Sequence, residues 1–330
     1  MKRIVITGGC GYIGSHIARA LKKDNEKTQI FVIDKQRRDN TLVNVNGYLI
    51  DDFSSKQSLM WIESLEPHVI IHCAGSSSVG ESISNPSEYY DNNIAKTIKL
   101  LDYLKDLSTK PLVLFSSSAS VYGNVDDSPI SETSPTNPLS PYGFSKVVIE
   151  KALADYHKAY ELPSICFRYF NAAGAEPFTY DLGETLGSGH IIAKILEASL
   201  NKKEFVLNGN DYPTKDGTCI RDYVHVWDIA LAHVAAIKWV ATIDEIPQRV
   251  MNLGSKHGVS NKEILDYVSS KYQLKEIVSG KRRSGDANIL IANCELATKL
   301  LNWNPQYSSI ETIIDSAYQW YTNWYKINDV

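Results

Sequence analysis

Short runs of β-branched and aliphatic residues recur along the chain at 4–7, 30–34, 69–73, 112–116 and 165–169, with longer stretches of helical periodicity between them. Helices are expected at 14–23, 87–105 and 142–160, where apolar positions such as Ile94, Ile98 and Leu101 repeat every three or four residues. Strand and helix in alternation predict βαβ units, hence an α/β fold built on a doubly wound parallel sheet. After Phe170 the pattern changes to a polar, glycine-containing stretch at 173–189, which suits a loop shaped around a ligand. A first domain of residues 1–171 plus about 222–255, and a smaller α/β substrate-binding domain of about 172–221 plus 256–330, are therefore expected. The aromatic segment 317–325 reads as a packed helix.

Composition narrows the partners. At 330 residues and 43% hydrophobic content the chain can bury a substantial core, so nothing in it reads as disordered. A net charge of -4 gives no global attraction to nucleic acid or an anionic membrane, which leaves small molecules and copies of itself. Five scattered cysteines, an odd number without a C-x-x-C, argue against a disulfide framework and for a reducing, cytoplasmic setting. The first residues run straight into a strand and a glycine turn, so no signal peptide is expected, nor is any apolar stretch long enough to span a bilayer. The histidines show no metal-ligand spacing, and no metal is expected.

Two motifs carry candidate chemistry. Thr7-Gly8-Gly9-Cys10-Gly11-Tyr12-Ile13-Gly14 follows the first strand directly, as a G-x-x-G-x-x-G form of the Rossmann turn. Glycines let the backbone bend and approach a pyrophosphate, which the amides at the helix start then meet. Asp34 ends the second strand, where a carboxylate binds an adenosine ribose and repels a 2'-phosphate, favouring NAD over NADP despite Lys35, Arg37 and Arg38 nearby. The second motif is Tyr142 and Lys146, one helical turn apart behind a Ser-Pro that can start a helix. A nearby cation favours phenolate, making the tyrosine a general base, and Ser116-Ser117-Ser118 at the end of an upstream strand can polarise a bound alcohol or carbonyl. Tyr267 and Lys271 repeat the spacing without either context, and read as an ordinary amphipathic helix face.

With these motifs in place, the sequence resembles the UDP-glucose 4-epimerase family of extended short-chain dehydrogenases/reductases along nearly its whole length. The more specific strings are Val79-Gly80-Glu81-Ser82, Glu88-Tyr89-Tyr90-Asp91-Asn92-Asn93, Ser140-Pro141-Tyr142-Gly143, Arg168-Tyr169-Phe170-Asn171 and Arg221-Asp222-Tyr223-Val224-His225-Val226. The resemblance implies a tightly held NAD and inversion at C4 of a UDP-hexose through a transient 4-keto sugar. Tyr142 would be the base, Lys146 would hold the ribose and keep the tyrosine's pKa low, and Ser118 would bond the 4-oxygen. It further implies NAD contacts at Gly8, Gly11, Tyr12, Ile13, Gly14, Asp34, Asp52, Phe53, Cys73, Ala74, Gly75, Ser77, Asn92 and Phe170, besides Tyr142 and Lys146. Nucleotide-sugar contacts would fall on Asn171, His190, Ile191, Arg221, Tyr223, Arg283, Asp286 and Leu290, besides Ser118 and Tyr142. A diphosphate needs fixed cations, and guanidinium supplies forked hydrogen bonds, which gives the two arginines an independent rationale. A homodimer joined through helices at 87–105 and 147–160 is also implied.

Some positions depart from the family's pattern. Lys35 stands where asparagine is usual, Ser77 replaces a lysine, and Cys73 a phenylalanine. Leu290 falls where hexose-restricted relatives carry tyrosine, so the pocket is expected to admit UDP-N-acetylhexosamines as well. The alternatives are a nucleotide-sugar 4,6-dehydratase, decarboxylase or net oxidoreductase on the same fold, or a nucleotide-binding regulator without catalysis. The absence of a carboxylate in Ala119-Ser120-Val121-Tyr122-Gly123 disfavours elimination chemistry, and the intact Ser118, Tyr142 and Lys146 set disfavours a silent regulator.

Overall fold

The computed structural model describes residues 2–42, 44–125, 128–245, 249–282 and 287–327. Seven strands form the central sheet: β1 (Arg3–Thr7), β2 (Gln29–Asp34), β3 (Gly47–Ile50), β4 (Val69–His72), β5 (Leu112–Ser118), β6 (Ser164–Tyr169) and β7 (Arg249–Leu253). They lie in the order 3-2-1-4-5-6-7 and are parallel throughout. Side chains alternate between two apolar clusters: Ile4, Ile6, Ile30, Val32 and Ile71 face one, while Val5, Ile33, Ile70 and Val113 face the other. Both faces are buried, which is why the strands read as continuous apolar runs. Helices Tyr12–Asp24 and Val226–Val240 cover the first face, and Lys56–Leu65, Lys96–Lys105 and Pro141–Tyr160 the second.

Two differences from the periodicity reading have local causes. The edge strand β3 escaped notice because it is short and leaves Tyr48 and Ile50 exposed. The helix expected at 87–105 is interrupted by a wide π-helical turn at Tyr90–Ala95. Wide turns of this kind recur at functional sites. Here the consecutive Asn92 and Asn93 both hydrogen-bond Ser76.

A second layer holds the strand Ile220–His225, flanked by Gly258–Ser260, Ile289–Leu290 and Asn171–Ala173, and a separate pair of Glu204–Asn208 with Glu276–Gly280. Its own apolar cluster includes Ile192, Leu196, Phe205, Ile264, Ile313 and Trp320. The chain rejoins the central sheet through helix Val226–Val240 and β7. Among the described residues no helix is long and apolar enough to cross a membrane.

Candidate active site

The sheet order reverses between β1 and β4, and ligands of open α/β sheets bind at the carboxyl ends of strands beside such a reversal. A cavity of about 270 Å³ lies there, walled by Gly8, Gly11, Asp34, Phe53, Cys73, Ala74, Gly75 and Asn92 among others. Gly8 has φ +71°, and a Cβ on it would stand 2.6 Å from the Ala74 amide nitrogen. A Cβ on Gly14 would meet the Gly8 carbonyl oxygen at 2.3 Å, so the turn closes only with glycine at both places. Gly11 begins helix Tyr12–Asp24 without a side-chain cap, which leaves its first amides for an external acceptor. The Asp34 carboxylate is aimed by the Cys10 and Gln36 amides, which donate to it at 2.9 and 3.0 Å.

The other expected cofactor positions Tyr12, Ile13, Asp52, Ser77 and Phe170 are not in the wall of this cavity. The Asp52 carboxylate pairs with Lys35 at 3.1 Å and Lys96 at 3.0 Å. Burial alone would raise its pKa, but hydrogen bonds from Ser54, Lys96 and Lys35 outweigh that and hold it well below the usual carboxylate range. Lys35 also donates to Asn92 Oδ1 at 3.3 Å, while Asn92 Nδ2 donates to Ser76 Oγ at 3.1 Å. Tyr12 borders a neighbouring cavity and donates to the Gly174 carbonyl at 2.6 Å. Ile13 and Phe170 pack with the apolar core, and Ser77 is exposed.

Ser140 caps helix Pro141–Tyr160 by accepting from the Gly143 amide at 3.1 Å, with Pro141 in the first turn, as the Ser-Pro signal predicts. Lys146 is buried and donates to the Ser116 carbonyl at 2.8 Å; its nitrogen lies 5.6 Å from the Tyr142 ring centre. Burial pulls its pKa down to about 8 against the raising influence of Cys73, Glu150 and Cys166. Tyr142 is pushed up, by burial, with a hydrogen bond to Ser118 pulling the other way. The expectation that Lys146 holds the phenol's pKa low is therefore not met by the protein alone. Its ammonium is committed to a backbone carbonyl and itself poorly solvated, so burial dominates both groups.

A third cavity, of about 470 Å³, gathers Asn171, His190, Ile191, Arg221 and Tyr223 from segments far apart in sequence. Lys194, Asn208 and Cys219 also line it and carry no motif that would have disclosed them. Tyr223 also lines it, and its hydroxyl is buried without a hydrogen-bond partner among the described residues. His190 is paired with Glu184, whose hydrogen bond raises the imidazole's pKa against burial. Leu290 pairs with Arg221 in the small sheet and packs against the main core. Arg283 and Asp286 lie outside the described residues.

None of the three catalytic candidates is in the wall of the first or the third cavity, but they cluster at the end of β5, where Tyr142 bonds Ser118 and Lys146 bonds the Ser116 carbonyl. Gly75, in the wall of the first, would place a Cβ 4.0 Å from Lys146 Nζ. Ser118 pairs in register with Tyr169, two residues before Asn171 in the wall of the third. Two groups beside them have no role assigned by the motifs, Asn93 and the Glu150–Arg168 pair. Asn93 holds Ser76 through both its backbone groups and bonds Ser145 at 3.0 Å. Glu150 sits one turn beyond Lys146, a position that the helical period alone could have offered.

The family model described as NAD dependent epimerase/dehydratase family matches residues 4–254. The chain is 39% identical to UDP-glucose 4-epimerase of Halalkalibacterium halodurans over 96% of its own length and 95% of that protein's. It superposes on the crystal structure of UDP-glucose 4-epimerase from Brucella ovis in complex with NAD, with TM-score 0.90, 34% identity and coverage of 96% and 98% of the two chains. The UDP-Glc/GlcNAc 4-epimerase of Campylobacter jejuni matches with TM-score 0.83 and 33% identity, over 98% of this chain and all of that one, 100%.

Proposed function

The chain belongs to the NAD dependent epimerase/dehydratase family, and from that premise we propose that it inverts C4 of UDP-hexoses, UDP-glucose and UDP-galactose, through a transient 4-keto sugar. The observation that supports the reading is the clustering of Tyr142 with Ser118 and of Lys146 with the Ser116 carbonyl, beside Gly75 in the wall of the dinucleotide-shaped cavity. Residues 1–171 plus about 222–255 would form the cofactor domain and the remainder the nucleotide-sugar domain, with Asn171 and Tyr223 at the boundary lining the sugar-side cavity.

The cofactor is NAD. The uncapped helix start at Gly11 suits its pyrophosphate, and the aimed Asp34 carboxylate suits an unphosphorylated ribose. NAD supplies reversible two-electron oxidation at C4 and a positively charged ring. Tyr142 takes the proton of the 4-hydroxyl as C4 is oxidised and gives it back to the 4-oxygen when the turned keto sugar is reduced on its opposite face, and Ser118 shares a hydrogen bond with that oxygen. Because burial raises the tyrosine's pKa, its deprotonation depends on positive charge nearby, which makes the charged state of Lys146 part of the machinery. Arg221 stands in the cavity where a diphosphate needs a cation, with Tyr223 in the same wall.

Incubating the protein with UDP-galactose and resolving the product sugars tests the reading; recovery of UDP-galactose alone would sink it. Leu290 is smaller than tyrosine, which supports turnover of UDP-N-acetylhexosamines too; no turnover by the wild type and no gain in Leu290→Ser would remove that extension. Exposed Ile83, Tyr90 and Phe144, the last two in edge-to-face contact at 6.1 Å, support a homodimer across the helices around them. Light scattering on the purified protein, with Phe144→Glu as comparison, checks the dimer. The unbridged thiols Cys10, Cys73 and Cys294 agree with a cytoplasmic setting.

A further inference from the structure

Three successive turns of helix Pro141–Tyr160 present Tyr142, Lys146 and Glu150 along one face. Glu150 is buried and accepts from Arg168, with Nε at 2.9 and 3.2 Å and Nη2 at 2.6 Å. It also accepts from the Ser117 hydroxyl at 2.5 Å. Arg168 is equally buried, and its free arm reaches the Tyr122 hydroxyl at 2.9 Å, which donates to Asn252 at 2.7 Å. The carboxylate thus binds the helix to β5 and β6 at once. One turn earlier, Lys146 binds the same strand through the Ser116 carbonyl. Two consecutive strand residues are gripped from two consecutive turns, and the next one is Ser118.

A buried ion pair is a poor way to gain stability, because desolvation offsets most of the attraction and apolar residues of the same volume do as well. It does fix geometry, since a two-pronged guanidinium contact tolerates little displacement. We infer that Glu150, held by Arg168, is a positioning residue for the proposed reaction: it sets the register of the base-bearing helix against Ser116–Ser118 and keeps a negative charge one turn from Lys146. The inference rests on the epimerase reading.

Its electrostatic part has a definite sign. The titratable groups acting on Lys146 are Tyr142 and Glu150 on its own helix, His72 and Cys73 at the end of β4, and Cys166 on β6, where Arg168 pairs with Glu150. Of these, Glu150 supplies the carboxylate. Without its charge the ammonium is less favoured, and the stranded Arg168 cation acts in the same direction, so Lys146 gives up its proton at lower pH.

The test is kcat against pH for Glu150→Gln with its bound cofactor and UDP-galactose. The expected result is a fall of about ten- to a hundredfold in kcat, with the alkaline limb moved to lower pH and KM and NAD content unchanged. Glu150→Asp should return the limb towards the wild-type position. Ser117→Ala, which removes one tie but no charge, should lower kcat with the limb in place, and it replaces the glutamine variant should that one fail to fold. A wild-type kcat and pH profile in Glu150→Gln, a raised KM with an unmoved limb, or full kcat in Ser117→Ala would each overturn the inference. An inactive wild type would sink the epimerase reading and this inference with it, whereas an active wild type with indifferent variants sinks this inference alone.

Discussion

Helices Pro141–Tyr160 and Asn261–Tyr272 each carry a tyrosine and a lysine one turn apart, and they differ in almost everything else. In the second, Lys271 donates directly to the Tyr267 hydroxyl at 3.0 Å, and both groups bond Asp315 at the surface. In the first, the ammonium points past the phenol to a strand carbonyl, and both groups are drawn into the interior. Direct contact with a cation does not make Tyr267 a base: its pKa is raised by burial and by Asp315, which together outweigh Lys271. Lys271 itself is raised by its bonds to Asp315 and Tyr267, a stable ammonium with nothing to switch. Burial brings the Lys146 pKa down to about 8, beside Gly75 in the wall of the cofactor-shaped cavity. What separates the two pairs is therefore the surroundings at the sheet end, which the spacing does not encode.

The comparison breaks most directly on the tyrosines. Tyr142→Phe is expected to lower kcat by about a thousandfold or more while NAD stays bound, and Tyr267→Phe to leave kcat unchanged. Steady-state turnover of UDP-galactose with cofactor release on denaturation reads both, and equal losses would erase the distinction. Next come the lysines, where Lys146→Met should cost about a hundredfold in kcat and Lys271→Met nothing measurable.

The pH dependence sharpens the contrast further. Because the folded pKa of Lys146 is depressed to about 8 from its ordinary 10.5, the unfolded chain binds more protons between those values. Stability contributed by this group therefore rises with pH through that window, and burial of its charge is a full cost below it. Lys146→Met should be stabilised relative to wild type more at neutral pH than at pH about 10, read by denaturant midpoints at the two values. The smallest expected effect is at Lys35, whose exposed contacts to Asp52 and Asn92 cross the cofactor cavity: Lys35→Asn should hasten NAD release by about two- to fivefold at low salt. An unchanged release rate would show that the cross-cavity contacts do not restrain the cofactor.

Much of the architecture was legible because its signals are local. The strands buried on both faces, the glycine turn placed between strand and helix, and the Ser-Pro start of the base-bearing helix all reside within a few neighbouring residues. The resemblance to a family extended this to residues such as Asn171, His190 and Arg221, which the structure gathers around one cavity. Periodicity was silent where an element was short or irregular, as at the edge strand Gly47–Ile50 and the wide turn holding Asn92 and Asn93.

By itself, the order of amino acids determined the parallel sheet, the dinucleotide turn and which tyrosine has a strand of serines behind it, because each follows from sterics and patterning over short spans. Only the tertiary structure decided that burial raises Tyr142 and lowers Lys146, that Glu150 meets Arg168 and Ser117, and that the buried Tyr223 hydroxyl has no partner among the described residues. Desolvation and charge pairing depend on which distant segments come to lie against one another, and that distance in three dimensions has no local signature in the chain.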